Sequence, residues 1–96
     1  MTLRELRETR RTQILALAQR HGASNVRVFG SVARGESSAS SDVDFLVDLA
    51  PDRTLMDLGG LLVDLQETLR EPVDVATESM LRPKVRERAL RDAVQL

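Results

Sequence analysis

Phe29-Gly30-Ser31-Val32-Ala33-Arg34-Gly35-Glu36-Ser37-Ser38-Ala39-Ser40-Ser41-Asp42-Val43-Asp44-Phe45-Leu46-Val47 runs between two stretches of β-favouring sequence. On its upstream side, Val26 to Phe29 is a short β-favouring run that stops at Gly30. On its downstream side, Asp42 to Leu49 alternates with a period of two. Val43, Phe45 and Val47 share one face, and Asp42, Asp44 and Leu46 share the other. The small and polar residues 31–41 in between read as a turn or short helix followed by a loop. Strand, polar connection, strand is the frame on which the rest of the chain is placed.

Toward the N-terminus, Thr2 and Glu5 have the spacing of a capping box, opening a helix to about Arg20. Leu3, Leu6, Ile14 and Leu17 give that helix an apolar face, and Gly22, after His21, is a left-handed stop. Toward the C-terminus, Pro51 and Asp52 end the second strand. Thr54 with Asp57 repeats the capping-box spacing, and Leu55, Leu58, Leu62, Leu65 and Leu69 form a helical stripe. Gly59-Gly60 lies inside that helix, where each glycine costs about 1 kcal/mol relative to alanine. Close packing against a neighbour, or a kink, would account for the pair. Pro72 opens a third short strand, Val73 to Ala76, and a last helix starts near Ser79 or Pro83 and runs toward Val94. The order αβ(turn)βαβα predicts an α/β fold: a single small domain, residues 1–96, with a short mixed β-sheet covered by helices. The β-α-β piece around residues 42–76 carries a parallel pair, and the first two strands are free to be antiparallel.

Composition excludes several functions. A net charge of -1 argues against a protein that coats nucleic acid through its overall field, so direct nucleic-acid binding is not expected. Phe29 and Phe45 are the only aromatics, which leaves almost nothing on which bases could stack. Without cysteine, neither disulfides nor thiolate metal sites can form. The apolar runs fall far short of the ~20 residues needed to span a bilayer. No secretory segment follows Met1, so no membrane association is expected and the cytoplasm is the expected location.

Asp42 and Asp44, two apart on a strand, project from the same face and repel each other, and a hard divalent cation with oxygen ligands would relieve that repulsion. Gly30-Ser31 ends a strand, where α/β proteins tend to hold ligands. There glycine lets a phosphate approach the backbone, and a following helical turn aims N–H groups at it. Asp74, between Val73 and Val75, points away from the face those valines bury. Each signal alone has an ordinary structural explanation: a solvated strand end, a glycine turn, a surface aspartate. His21 reads as a helix C-terminal cation, Asp48 as a strand-end residue and Asp57 as a cap. Arg4, Arg7 and Arg11, and Arg82, Arg86 and Arg88, interleaved with Glu5, Glu8 and Glu87, read as solvated, salt-bridged faces.

The combination is more specific than its parts. Gly30-Ser31, ten intervening residues from Val32 to Ser41, and then Asp42-Val43-Asp44 resemble the signature of the DNA polymerase β-like nucleotidyltransferase superfamily. Ala33-Arg34-Gly35 and Ser41 agree with its flanks, and Pro72-Val73-Asp74-Val75-Ala76 matches the place of its third acidic residue. The resemblance spans nearly the whole chain and, at this size, is to the minimal nucleotidyltransferases. It implies that Asp42, Asp44 and Asp74 are catalytic and hold two Mg2+ ions. It also implies that Gly30 and Ser31, with Arg34 assisting, hold the phosphates of ATP, the nucleotide donor. Members of that group are similar to antitoxins paired with HEPN-type RNase toxins, which they modify by moving AMP onto a tyrosine. The resemblance therefore implies a toxin protein as acceptor and a hetero-oligomer with it. A non-catalytic or weakly catalytic binding antitoxin, and a subunit of a two-component enzyme acting on small molecules, are the alternatives.

Overall fold

The computed structural model describes residues 1–36, 38 and 41–96, so the part of the expected loop formed by residues 37, 39 and 40 lies outside the described residues. Thr2 starts the chain's first helix, α1 (Leu3–Glu5), through the expected reciprocal cap with Glu5. The helix continues through a π-turn, Leu6–Arg10, into α2 (Arg11–Arg20). Leu6 and Ile14 are eight residues apart, more than the about 7.2 residues of two α-turns. The wider π-turn absorbs the surplus residue, and both side chains reach the core. Gly22, at φ +76°, provides the left-handed stop.

Four strands make a mixed sheet in the order β3-β2-β1-β4. β1 (Ala23–Phe29) runs antiparallel to β2 (Val43–Leu49), which pairs in parallel with β3 (Val73–Ala76). The β2–β3 crossover is α4 (Leu55–Leu69), opened by the Thr54–Asp57 capping box and closed by Arg70 in the left-handed conformation. After a 3-10 turn at Glu78–Met80 comes α5 (Pro83–Asp92), with proline in its first turn, and then β4 (Val94–Gln95), which pairs with β1.

β1 is longer than the expected Val26–Phe29 because it carries a bulge. Asn25 sits at φ +50°, and the register slips by one residue between Ser24 and Arg27. That extra residue turns both Ala23 and the Val26/Val28 pair toward the core, which strict alternation could not do. The Asn25 side-chain amide N–H donates to Asp48, and its carbonyl accepts from Gln95.

The core lies between one face of the sheet and the helices α2 and α4. Val28, Val43, Phe45 and Val47 meet Leu6, Ile14, Leu58, Leu61 and Leu65 there. Two sequence expectations need correction. Leu55 is 70% exposed, because the first turn of α4 lies beyond the packed stripe, and Leu61 rather than Leu62 is fully buried. Of the glycine pair, only Gly60 is packed closely: a Cβ there would sit 2.8 Å from the His21 ring, whereas one at Gly59 meets open space. Nothing in the structure explains Gly59. Among the described residues no helix is long and apolar enough to cross a membrane.

Candidate active site

The second face of the sheet gathers the candidate site residues. Phe29 on β1, Asp44 on β2 and Asp74 on β3 are direct neighbours in register, so all three side chains emerge on the same face. Arg27, Leu46 and Ala76 form the next row. This row is buried, so Leu46 belongs to a second, smaller apolar layer beneath the aspartates. Asp42 lies just before β2, whose first residue, Val43, is anchored by its N–H to the Pro72 carbonyl. Antiparallel pairing brings the C-terminal end of β1 to the start of β2, so Gly30 stands against Asp44.

Gly30 has two reasons to be glycine. Its φ is +74°, and a Cβ built there would overlap the Asp44 carboxylate. Glycine is thus what lets the end of β1 and the Asp44 carboxylate stand side by side. Gly30 opens the single helical turn α3 (Gly30–Ala33), which places Ser31 at its start and buries Val32. Gly35, at φ +75°, ends the turn, and the Glu36 N–H donates to the Ser31 carbonyl. Further along, Ser41 Oγ accepts from the Ser38 N–H at 2.9 Å, tightening the approach to Asp42.

The Asp44 carboxyl is raised from the usual 3.8 to about 6. Burial is the main cause, followed by the negative charges of Asp74 and then Asp42, with Arg34 acting weakly the other way. The three aspartates therefore share one field that the protein's own cations leave uncompensated. Among the described residues, no three acidic, histidine or cysteine side chains already form a closed metal cage. Asp42 and Asp74 are exposed, and mutual repulsion keeps such carboxylates apart until a cation is shared between them. An all-oxygen donor set with excess negative charge fits a hard divalent ion such as magnesium.

Arg34, expected beside the phosphates, is already engaged. Its guanidinium bonds Asp92 on α5 at 2.6 Å and also pairs with Glu36, and both carboxylates hold its pKa above the ordinary value. The contact ties α3 to α5. His21 does end its helix, but its Nε2 lies 2.7 Å from Asp64 on α4, so its partner is a carboxylate on a neighbouring helix. Asp57 is the cap that was expected. Asp48 accepts from Arg27 and Asn25. The arginines read as solvated faces divide. Arg4 pairs with Glu8 on its own helix. Arg7 and Arg11 instead donate to the carbonyls of Gln95 and Leu96, and Arg86 to those of Glu78 and Leu81. Bonds to backbone carbonyls outside their own helix leave no periodic signal, which is why the sequence pattern did not separate them.

Residues 10–96 match the model of the nucleotidyltransferase domain family. Over 84 residues, 88% of this chain and 90% of the relative, the chain is 36% identical to MJ0435 of Methanocaldococcus jannaschii, a candidate protein adenylyltransferase. It is 33% identical to the protein adenylyltransferase MntA of Thermococcus cleftensis over 98% of this chain and 95% of that one. The structure of a candidate minimal nucleotidyltransferase superposes with a TM-score of 0.86 at 48% identity, over 100% of this chain and 97% of that chain. A toxin–antitoxin complex crystallised with AMP-PNP shares the fold at a TM-score of 0.74 and 20% identity, over 88% of this chain and 69% of that chain.

Proposed function

Because the chain belongs to the nucleotidyltransferase domain family and is a nucleotidyltransferase, we propose that it moves AMP from ATP to a hydroxyl of a partner protein, as the antitoxin of a toxin–antitoxin pair. The observation that carries this reading is the convergence of Asp44, Asp74 and Asp42 beside Gly30 at one end of the sheet. The relatives named as protein adenylyltransferases support the transferred group and the class of acceptor. The fold shared with a toxin–antitoxin complex supports the partner. On this reading residues 1–96 act as one nucleotidyltransferase domain. The acceptor is a tyrosine of a HEPN-type toxin that arrives on a separate chain in a hetero-oligomer, and the protein works in the cytoplasm.

Asp42 and Asp44 would hold Mg2+ with the triphosphate, and Asp74 would serve a second ion on the acceptor side. When bound, magnesium supplies charge neutralisation at the phosphates and lowers the pKa of the attacking hydroxyl. In the transfer, the tyrosine hydroxyl would release its proton to solvent, its oxygen would bond to the α-phosphorus, the bond from that phosphorus to the α–β bridging oxygen would break, and pyrophosphate would leave with that electron pair. Ser31 and the Gly30 backbone would position the β- and γ-phosphates in line with that displacement. Arg34, braced by Asp92 and Glu36, holds the turn on which Ser31 sits.

Co-expression with the neighbouring open reading frame, followed by the intact mass of that partner, tests the proposal. With wild type the partner gains the mass of one or more AMP groups, and with the Asp42→Ala/Asp44→Ala double variant it gains none. A partner that stays unmodified yet co-purifies equally with both forms would replace the enzymatic account with neutralisation by binding.

A further inference from the structure

Resting on that reading, we propose that Arg88 of α5 is the cation that grips the terminal phosphates of the nucleoside triphosphate. Beside Gly30 there is a cleft of about 150 Å3 between the end of β1 and α5, lined by Phe29, Gly30, Arg34, Val85, Arg88 and Asp92. Phe29 is the register neighbour of Asp44, so this cleft lies beside the aspartate row, although none of Asp42, Asp44 and Asp74 lines it. Its volume is well below the ~300–1,000 Å3 of pockets that enclose a whole ligand. It suits the end of a polyphosphate rather than a nucleoside.

Charge assigns the residue. A triphosphate reaching from the three aspartates into this cleft needs a positive group at its far end, and two arginines line it. Arg34 is held by Asp92 and Glu36. Arg88 is exposed and, among the described residues, makes no ion pair or hydrogen bond. The other arginines on this face are committed: Arg27 to Asp48 and Glu78, and Arg86 to the Glu78 and Leu81 carbonyls. Arg91 pairs with Glu87. Arg82 is also unpaired, but it does not line the cleft. A planar guanidinium can take two phosphate oxygens at once, which a lysine cannot do in the same geometry. α5 itself is fixed next to Gly30 by the Arg34–Asp92 bond and by buried Ala89, so Arg88 has a rigid base.

The test is calorimetric binding of Mg–AMP-PNP and of AMP to the full chain, comparing wild type with Arg88→Ala, Arg88→Lys and Arg82→Ala. Removal of a charge-assisted phosphate contact should weaken AMP-PNP about ten- to hundredfold while leaving AMP unchanged. Arg88→Lys should recover part of the loss, and Arg82→Ala, which removes the same charge outside the cleft, should bind as wild type. In the transfer reaction KM for ATP should rise more than kcat falls. AMP-PNP affinity unchanged in Arg88→Ala, or lost equally with that of AMP, would overturn the assignment. Wild type that binds no AMP-PNP would instead overturn the nucleotidyl-transfer reading beneath it.

Discussion

Asp44 carries an electrostatic cost that a bound cation would lift, and its size can be tested without any substrate. Its folded value of about 6 lies above the usual 3.8, so the fold favours the protonated form. The associated stability is fully present below about pH 4 and is lost as pH rises through 6. At face value the shift corresponds to about 3 kcal/mol at neutral pH, and solvent screening of a half-buried carboxylate reduces that to about 1 kcal/mol. Asp57 works in the opposite sense. The Thr54 backbone N–H, together with Arg53, holds its carboxyl below the usual value, so its contribution is lost only in stronger acid. Metal-free protein should therefore lose stability between about pH 4 and pH 8. Asp44→Asn should flatten that decline and melt about 5 °C above wild type at pH 8, while abolishing nucleotidyl transfer. Equal melting temperatures for the two at pH 8 would mean that neither burial nor the neighbouring aspartates penalise the charged Asp44 carboxylate. Gly30 gives the companion prediction. Alanine there must adopt φ +74° and overlap the Asp44 carboxylate. Gly30→Ala should cost roughly 1–3 kcal/mol in a denaturant titration and reduce transfer even where the chain still folds.

At the scale of elements, the glycine pair in α4 separates two causes that look the same in sequence. Gly60 faces His21, whose ring is held by Asp64 at 2.7 Å, and an alanine Cβ would come within 2.8 Å of that ring. Gly59 is exposed with open space around it. Gly59→Ala should thus stabilise the protein by about 0.5–1 kcal/mol through helix propensity, whereas Gly60→Ala should destabilise it by displacing the His21–Asp64 contact. A thermal melt of each variant reads both signs, and stabilisation by both would show that the His21 ring is free to move. The sequence displayed most of this architecture because its main signals are local. Both capping boxes, the Gly22 stop, the alternation of β2 and the parallel β2–α4–β3 crossover are written in neighbouring residues. What it hid depends on distant ones. The π-turn at Leu6–Arg10 is needed only to align Leu6 with Ile14 on the sheet. The bulge at Asn25 interrupts the alternation that would have revealed the start of β1. β4 is two residues that count as a strand only because β1 is beside them. The site divides the same way. Asp42, Asp44, Gly30 and Ser31 were singled out as candidates by their spacing and Asp74 by the family resemblance, whereas the engagement of Arg34 by Asp92 and the freedom of Arg88 exist only once α5 has folded against α3.

At the scale of the whole molecule, a net charge of -1 conceals a strong separation of charge. Arginines tie the π-turn, α2 and α5 to carbonyls elsewhere in the chain, while the aspartate end of the sheet keeps uncompensated negative charge. A molecule built this way should be incompletely stabilised until cation and nucleotide arrive together. Binding to the native state alone adds RT ln(1 + [L]/Kd), about 2.7 kcal/mol at a hundredfold excess over Kd. For a chain of this size that corresponds to a rise of roughly 10 °C or more in melting temperature. Magnesium alone should give a smaller rise by relieving the aspartate repulsion, and AMP-PNP without magnesium should give none, because it adds negative charge to a negative site. The Asp42→Asn/Asp44→Asn pair should start from a higher metal-free melting temperature and lose the response to magnesium. A wild-type melting curve indifferent to magnesium with AMP-PNP would mean that the three carboxylates, although gathered at one end of the sheet, do not hold a metal–nucleotide complex. The same curve in the double variant separates the two contributions: repulsion removed by mutation raises the baseline, and binding lost by mutation removes the increment.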